Sequence, residues 1–368
     1  MAARMKILFL TRKWPPAVGG MEAYSRELVR ELDARADVDL RALPGRSDGK
    51  RPSAFAMLVF GISTAFDLLF KGTASDVIHG ADLAIWPLVL IATLHRRGAR
   101  AVLSAHGSDA ALGFKRGIAA RLYALYLKVG VFLLPSVSVL ANSRATASLC
   151  RRCGFADVRV VPLATHVSDH GIPEPEPYIL FVGRLMRRKG CAWFICNVLP
   201  LLDPSSRLIV VGVVWDDDEG RALDCARVEF RGPVFGAELA QLRARATAVI
   251  VPNLEIGMEG FEGFGLTAVE GAADGGVVLA ADVDGIADAV CHGTTGFLLP
   301  AGDAGCWAAK IREISAWPPG ERRDFVERSR ASVKRIYSWS RVAEETLDAY
   351  RQSASEPLAA AAISESGR

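Results

Sequence analysis

The sequence lacks an excess of charge of either sign. Its 44 Lys and Arg residues nearly balance 41 Asp and Glu residues, which leaves a formal net charge of +3 over 368 residues. Because a domain that binds nucleic acid carries a concentrated basic excess, this balance argues against nucleic acid as a partner.

The sequence also lacks paired cysteines and a recognisable set of metal ligands. Its 7 cysteines are scattered and odd in number, which is typical of the reducing cytoplasm rather than of a disulfide framework. Cys150 and Cys153 form a single Cys-x-x-Cys, and without a second pair we interpret them as two cysteines in a helix. The acidic run 216–219 has no second ligand cluster, so we expect a solvated loop there.

Long apolar runs are missing as well. The run Ile7–Leu10 is too short for the core of a secretory signal and predicts a strand. The segment Ala54–Phe70 is shorter than the roughly 20 apolar residues of a membrane span, and it includes Asp67. We interpret it as a mostly buried helix of a globular domain.

What the sequence does contain is a regular alternation of short β-branched runs with helical patterns. Strands are predicted at 6–10, 38–43, 76–79, 101–105, 137–141, 158–161, 178–182, 208–213, 228–230, 248–251, 277–280 and 297–299. Strands that alternate with helices form parallel sheets covered on both faces, so the predicted fold class is α/β.

Chain length and a proline-rich break predict two domains. A chain of 368 residues with 51% hydrophobic residues exceeds one domain and can fill two cores. Residues 171–177 alternate proline with charge, which is typical of a linker. We predict two Rossmann-like doubly wound domains, residues 1–170 and 171–337, with a last helix at about 338–356 and a disordered tail at 357–368.

Glycines and polar residues follow the predicted strands, where open parallel sheets bind ligands. They include Gly19-Gly20, His106, Asn142, Gly183-Arg184 and Asn253. Gly19 and Gly20 let backbone N–H groups approach a phosphate at a helix N-terminus, although an ordinary turn has the same sequence. His79 also follows a strand, and we expect it to be a packed, hydrogen-bonded histidine.

Arg184 and Lys189 are two cations that suit a diphosphate leaving group. Charge builds on that group as its bond to a sugar breaks, so fixed cations stabilise the transition state more than the ground state. Arg187 and Arg188 lie between them, and a solvated basic patch explains this segment equally well when it is taken alone.

The stretch from Glu262 to Glu270 is the most specific pattern in the chain. Gly263 and Gly265 permit a tight turn, and Leu266 begins a helix whose N-terminus can face a diphosphate. Glu262 precedes this helix and Glu270 lies about one turn inside it. One carboxylate can therefore reach a sugar while the other accepts hydrogen bonds from a ribose diol.

In this order the motifs resemble the retaining glycosyltransferases of family 4, which have the two-domain GT-B fold. The resemblance rests on the Gly-Gly loop, on Arg184…Lys189-Gly190 and on the Glu-x7-Glu pattern from Glu262 to Glu270. Segments 282–286, 293–297 and 337–340 continue it, and it extends over about residues 5 to 350. It implies transfer of a sugar from a UDP- or GDP-sugar to an acceptor hydroxyl with retention, and a last helix that packs back on the first domain.

The resemblance also implies roles for individual residues. The implied catalytic residues are His106 beside the reacting carbon, Arg184 and Lys189 on the diphosphate, and Glu262 on the sugar. The implied substrate-binding residues are Gly19, Gly20, Phe264, Gly265 and Leu266 through their backbones, and Glu270 on the ribose. The resemblance implies no metal and no other cofactor.

The implied acceptor is lipid-linked or a saccharide, in surface polysaccharide or glycolipid assembly at the inner face of the membrane. Lys115, Arg116, Arg121 and Lys128 are interleaved with aromatic residues. This pattern suits a basic amphipathic segment in peripheral contact with anionic lipid, and a solvated helix face fits it equally well.

Two other function classes remain as alternatives. A nucleotide-sugar epimerase on the same fold needs additional acid–base residues, which the sequence does not offer. A non-catalytic nucleotide-sugar-binding protein does not require Arg184, Lys189, Glu262 and Glu270 together, so their presence argues against it.

Three segments depart from the family pattern. Asp284-Gly285-Ile286-Ala287-Asp288 stands where Gly-Gly-Ile-Pro-Glu is more usual, and residues 162–167 replace Pro-Asn-Gly-Val-Asp. Residues 254–261 are longer and more acidic than the usual approach to the Glu-x7-Glu pattern. We expect this last segment to shape the choice of donor.

Overall fold

The structure is a computed structural model that describes residues 4–17, 19–46, 52–96, 98–169 and 171–352. All twelve predicted strands are present. Their bounds are Lys6–Trp14 (β1), Asp37–Pro44 (β2), Val77–Gly80 (β3), Arg100–Ala105 (β4), Ser138–Ala141 (β5), Asp157–Val160 (β6), Glu176–Val182 (β7), Arg207–Val211 (β8), Val228–Gly232 (β9), Ala246–Val251 (β10), Val278–Ala281 (β11) and Phe297–Leu299 (β12). The predicted tail 357–368 lies outside the described residues.

Helices separate most of the strands. The α-helices of the described residues are Gly20–Asp33 (α1), Ala54–Lys71 (α2), Trp86–His95 (α3), Ser108–Ala111 (α4), Ile118–Leu133 (α5), Arg144–Cys153 (α6), Cys191–Trp193 (α7), Asp217–Arg221 (α8), Gly236–Arg245 (α9), Leu266–Ala273 (α10), Ala304–Ser315 (α11), Pro319–Ile336 (α12) and Trp339–Arg351 (α13).

The strands form two parallel six-stranded sheets, one in each half of the chain. The order is β2-β1-β3-β4-β5-β6 in the first sheet and β12-β11-β10-β7-β8-β9 in the second. In β1 the consecutive residues Ile7, Leu8, Phe9 and Leu10 are all fully buried, because both faces of the sheet are covered. The predicted α/β class with two Rossmann-like sheets is confirmed, and we call the parts built on them the first and the second domain.

The proline-rich segment runs directly into a strand. β7 begins at Glu176 and contains Pro177, so the end of the segment predicted as a linker belongs to a strand. The register between β10 and β7 shifts at this point, from Ala246 opposite Glu176 to Ala248 opposite Ile179. Pro177 therefore lies in an irregularity where its missing N–H leaves no ladder hydrogen bond broken.

The last helix lies against the first domain. In α13 the Tyr350 hydroxyl is 2.5 Å from Nδ1 of His79, the residue that pairs with Phe9 in the first sheet. Nearby, the guanidinium of Arg35 donates to the hydroxyl of Ser340 at 2.8 Å. The described chain thus returns from the second domain to the first.

The prediction that 54–70 forms a helix is confirmed, but the prediction that this helix is mostly buried is wrong. The segment is helical, but of its residues only Thr64 and Leu68 are buried. Among the described residues it is also the one helix long and apolar enough to cross a membrane, and 11% of it is buried. The apolar composition of this segment predicts a helix, but it does not show which faces of the helix are covered by the rest of the protein.

Candidate active site

The two domains touch at a pair of glycines that follow β4 and β10. A Cβ placed on Gly107 would lie 2.5 Å from Cα of Gly263, and one placed on Gly263 would lie 2.0 Å from the carbonyl oxygen of His106. No side chain fits at either position. The predicted site residues His106 and Glu262, which belong to different domains, are brought together by this contact.

Two helix N-termini meet beside that contact. α1 begins at Gly20 and α10 begins at Leu266, and a Cβ on Gly20 would lie 3.2 Å from Cδ1 of Leu266. Gly265 precedes α10 with a φ of 88°, a conformation that glycine adopts without strain. The first N–H groups of a helix have no partner within the helix and attract anions, so both N-termini favour a phosphate between the domains.

Glu262 lies at the centre of a buried ionic cluster. Its Oε2 is 2.6 Å from Nζ of Lys189, contacts Nη1 of Arg188 and is 3.3 Å from Nδ2 of Asn253. Burial opposes ionisation of this carboxyl, but the charges of Lys189 and Arg188 outweigh it and lower the pKa of Glu262 to about 2. Glu262 is therefore a carboxylate at neutral pH and acts as a hydrogen-bond acceptor.

The structure separates the two predicted phosphate-binding cations. Lys189 is packed against Glu262 with a side chain that is 14% exposed, and burial lowers the pKa of its ammonium group. Arg184 is exposed, and its guanidinium lies 4.6 Å from the ring centroid of Trp215. Lys189 thus belongs to the ionic cluster, whereas Arg184 stands at its rim on an aromatic side chain.

Arg188 is a member of this cluster that the sequence did not single out. It was grouped with Arg187 as a solvated patch, yet its side chain is only 13% exposed and it binds Glu262. The adjacent glycine explains the geometry, because a Cβ on Gly190 would lie 2.0 Å from the carbonyl oxygen of Pro252. The chain passes so close to β10 that the short turn before Gly190 aims both Arg188 and Lys189 at Glu262.

His106 lies on the first-domain side of the glycine contact, and its ring has a fixed orientation. Its Nε2 is 2.9 Å from the carbonyl oxygen of Ala81, which can only accept, so Nε2 carries a hydrogen. The carboxylate of Asp109 accepts the backbone N–H of His106 at 2.9 Å. In the neutral ring, Nδ1 is therefore the acceptor available to a ligand.

A buried polar chain supports His106 from behind. The ring of Tyr24 stands edge-on to His106 with centroids 4.7 Å apart, and its hydroxyl is 2.7 Å from Oγ of Ser104. Ser104 in turn is 2.7 Å from Nε2 of His79, whose other nitrogen contacts Tyr350. Burial lowers the pKa of His79 to about 3, so it is neutral. The expectation of a packed, hydrogen-bonded His79 is confirmed.

Glu270 lies in a second cleft with a basic partner that the sequence did not indicate. Its Oε2 is 2.5 Å from Nη2 of Arg243, a buried residue of α9 that also donates to Asp274 at 3.0 Å. These residues and the exposed ring of Phe235 line a cleft of about 580 Å³. Glu270 lies inside α10 and thus stands apart from the Glu262 cluster, since Glu262 precedes that helix.

The segment Asp284–Asp288, which departs from the family pattern, holds the backbone of Glu262. Asp284 has a φ of 46°, a conformation that is uncommon for residues other than glycine and that Asp tolerates better than most. Its Oδ2 accepts the backbone N–H of Glu262 at 3.1 Å. Asp288 of the same segment contacts the first domain, accepting the backbone N–H of Arg144 at 2.6 Å.

The acidic run 216–219 is not the solvated loop that we expected. Asp216 caps the short helix α8, and Glu219 is buried and accepts the backbone N–H of Ala192 at 2.9 Å. Cys150 and Cys153 are free thiols in α6. Within the described residues no group of three or more His, Cys, Asp or Glu side chains is arranged to hold a metal ion.

Comparison with known families accounts for both halves of the chain. The sequence model described as Glycosyltransferase Family 4 matches residues 18–168, and the one described as Glycosyl transferases group 1 matches residues 176–316. The chain belongs to family 4 of the glycosyltransferases. Each domain of this glycosyltransferase is thus matched by a sequence model of glycosyltransferases.

Individual relatives of this glycosyltransferase differ in how much of the chain they match. Alpha-maltose-1-phosphate synthase of Mycolicibacterium smegmatis is 24% identical over 95% of the chain and 99% of its own length. D-inositol 3-phosphate glycosyltransferase of Nocardioides is 32% identical over 50% of the chain and 44% of its own length. An uncharacterized glycosyltransferase of Methanocaldococcus jannaschii is 30% identical over 49% and 46%. The chain thus matches less than half the length of the last two.

Solved structures show the same architecture. Sucrose-phosphate synthase from Thermosynechococcus elongatus superimposes with a TM-score of 0.70 at 20% identity, covering 95% of this chain and 99% of that one. The Anabaena protein Alr3699/HepE, in complex with UDP and glucose, gives a TM-score of 0.66 at 20% identity and covers 94% and 99%. The predicted GT-B fold is confirmed.

Proposed function

We propose that this glycosyltransferase moves a sugar from a UDP-sugar, or alternatively a GDP-sugar, to an acceptor hydroxyl with retention at the anomeric carbon. The observation that carries the proposal is the buried cluster of Arg188 and Lys189 around Glu262, between two helix N-termini and opposite His106. Fixed cations and oriented N–H groups at one point suit a diphosphate that gains charge.

The nucleoside part of the donor fits the cleft at Glu270. Its carboxylate accepts the ribose hydroxyls, and Arg243 holds it in place from the buried side. The exposed ring of Phe235 at the same cleft offers a face for the base. Since Glu270 lies on α10, the diphosphate then extends along this helix to its N-terminus and meets Phe264, Gly265 and Leu266.

The sugar lies between Glu262 and His106 in this arrangement. Two cations hold Glu262 ionised, so it accepts hydrogen bonds from sugar hydroxyls rather than donating a proton. Nδ1 of His106 accepts another. Buried Oδ1 atoms of Asn142 and Asn253 have no hydrogen-bond partner among the described residues, and both residues follow strands that end at the contact between the domains.

The reaction proceeds on one face of the sugar. The bond from the anomeric carbon to the phosphate oxygen breaks, the acceptor oxygen bonds to the same carbon on the same face, and the acceptor proton passes to the departing phosphate oxygen. Lys189, Arg188 and the N-terminus of α10 stabilise the charge that develops on the diphosphate. No separate general base is required.

The charge on the diphosphate is balanced by protein groups in this proposal, so activity is independent of a divalent metal. Transfer should proceed unchanged in the presence of EDTA. Full loss of activity with EDTA and recovery with magnesium or manganese would contradict the metal-free mechanism.

The acceptor enters from the first domain, near Gly19 and Gly20, and is lipid-linked or a saccharide for surface polysaccharide or glycolipid assembly in the cytoplasm.

The donor is tested first, by thermal unfolding with UDP-, GDP- and ADP-sugars. Only the matching nucleotide should raise the Tm, since a ligand that binds the folded state alone stabilises it. The configuration of the product, read by NMR, then tests retention. An inverted product would rule out the same-face reaction.

A further inference from the structure

Helix α2 presents an unpartnered apolar face. Its exposed residues are Phe55, Leu58, Val59, Ile62, Phe66, Leu69 and Phe70, with exposures between 43 and 78%. Their spacing of one, three or four residues places them on one side of the helix, opposite the buried Thr64 and Leu68. No charged residue interrupts this stripe.

Helix α5 presents a second apolar stripe. Ile118, Leu122, Leu125, Val129 and Phe132 repeat every three or four residues and are between 40 and 82% exposed. The buried residues Ala120, Leu127 and Gly130 lie on the opposite side of the helix. Isolated exposed apolar residues are ordinary, but continuous stripes on two helices mark an interaction surface.

Both stripes point away from the same face of the first sheet. α2 leads from β2 to β3, α3 from β3 to β4 and α5 from β4 to β5, all in one direction along the sheet. Right-handed crossovers in one direction lie on one face of a sheet. α3 packs between the other two, and its Leu94 is 65% exposed. We call the stripes of α2 and α5 together with Leu94 the apolar helix surface.

Charge in the chain segment around the α5 stripe has one sign. From Ala110 to Ala156 the chain contains no Asp or Glu but has seven basic residues, Lys115, Arg116, Arg121, Lys128, Arg144, Arg151 and Arg152. Arg121 and Lys128 are exposed on one flank of the α5 stripe, two helical turns apart. A surface that joins apolar side chains to basic ones is complementary to anionic lipid.

We propose that the apolar helix surface docks this protein on an anionic lipid membrane, with α2 and α5 lying in the plane of the headgroups. α2 does not cross the bilayer, because β2 and β3 at its two ends both pair with β1 in one sheet. Its buried side also stays packed on α3 and that sheet. This surface goes beyond the proposed transfer reaction and does not depend on the donor.

Docking in this way places the cleft beside the membrane. α5 follows β4 and starts at the edge of the sheet where His106 lies, and Lys115 just before it is 3.3 Å from Glu259 of the second domain. An acceptor attached to a lipid would therefore reach the contact between the domains from the α5 end of the surface.

Vesicle sedimentation tests the docking surface with the full chain. The wild-type protein should bind vesicles that contain phosphatidylglycerol, bind pure phosphatidylcholine more weakly and be released by salt. The double variant Phe66→Ser/Phe132→Ser should lower the vesicle partition coefficient by at least about tenfold. Arg121→Glu/Lys128→Glu should abolish the preference for anionic vesicles.

Matched changes on the second domain serve as controls. Leu201→Ser/Phe230→Ser removes two exposed apolar side chains, and Lys334→Glu/Arg335→Glu reverses two exposed charges; both should bind vesicles as the wild type does. Stabilisation by nucleotide sugars should be the same in all four variants, so a failure of the donor assignment is told apart from a failure of docking.

Three results would overturn the proposal. The wild-type protein could stay in the supernatant with both kinds of vesicle, or Phe66→Ser/Phe132→Ser could bind as tightly as wild type. Light scattering could also show a wild-type dimer that this variant converts to monomers, in which case the surface is covered by a second copy of the chain.

Discussion

The two domains have similar sheets but differ in what their side chains do. In the second domain, charges are buried at the cleft, where Glu262 is held by Arg188 and Lys189 and Glu270 by Arg243. In the first domain, Ser104 and His79 behind His106 are neutral and linked by hydrogen bonds, and the buried carboxyl group of Asp109 accepts the backbone N–H of His106.

The outer surfaces of the two domains differ in how many apolar side chains they expose. Most of the exposed large apolar side chains lie in the first domain, between Phe55 and Leu133. The long helix α12 of the second domain carries charged residues over most of its exposed length. The same architecture thus gives a second domain with ion pairs at Glu262 and Glu270 and a first domain with apolar surface outside.

The sheets themselves differ in one connection. In the first sheet the chain moves from β1 to β2 at the edge and returns past β1 to β3. In the second sheet β7, β8 and β9 run outward in order before the chain returns past β7 to β10. In each case the chain reverses direction at a crevice beside the strand ends, the place where open parallel sheets generally bind ligands, and α1 and α10 begin there.

The largest effect is expected from the ionic cluster of the second domain. Lys189→Ala should lower kcat about 100- to 1000-fold with a smaller change in KM, because its charge is needed most when the diphosphate departs. Arg184→Ala should cost less, since Arg184 stands exposed on Trp215. Initial rates of nucleotide release measure both variants. A larger loss for Arg184→Ala would place the diphosphate at the rim instead.

The two glutamates should separate binding from catalysis within the second domain. Glu270→Ala should weaken donor affinity by roughly 10- to 150-fold and leave kcat largely intact, because the ribose contact is equal in the ground and transition states. Glu262→Ala should depress kcat, and Glu262→Gln should be milder. Donor titrations of the folded variants check this. Loss of kcat alone in Glu270→Ala, or a trapped glycosyl adduct on Glu262, would contradict the assignment.

Acid stability should distinguish the domains next. His79 has a folded pKa of about 3 and an unfolded value near 6.5, so the unfolded chain binds more protons between these values. The stability it contributes is present above about pH 6.5 and is lost as the pH falls, by about 2 kcal/mol at about pH 5. Urea unfolding of wild type and His79→Gln at both pH values measures it, and the variant should lack this part of the slope.

The matching effect in the second domain falls at lower pH. Glu262 has its pKa lowered to about 2, so its contribution is present above its ordinary value of 4.5 and is lost as the pH falls toward 2. The variant Glu262→Gln should therefore keep the loss of stability between about pH 6.5 and about pH 5. If Glu262→Gln removes that loss while His79→Gln does not, the group that titrates between about pH 6.5 and about pH 5 lies in the second domain and not in the first.

The smallest effect is expected at Asp284. Asp284→Gly relieves the left-handed backbone but removes the hydrogen bond to the N–H of Glu262, and these effects oppose, so stability should change by less than about 1 kcal/mol. Asp284→Ala keeps the strain and loses the bond, and should cost about 1–2 kcal/mol. Chemical denaturation compares the two. Equal stability of these variants would show that the left-handed conformation carries no strain.

The strands and the order of motifs could be predicted from the sequence because they depend on local patterns. β1 is a continuous apolar run, and Gly263 with Gly265 marks a turn before an apolar helix, so neither needs information from distant residues. Arg188 and Arg243 could not be assigned in this way. Their partners Glu262 and Glu270 lie far along the chain, and a basic residue on a surface has the same local pattern.

By itself the sequence determined the α/β class, the two sheets and the segments that meet at the cleft, since strand and helix periodicity and glycine positions are local properties of the chain. Only the tertiary structure decided which charges are buried together and which apolar face of α2 is left uncovered. Both depend on what packs against a side chain, and an apolar stripe has the same sequence whether it faces a protein core or the outside.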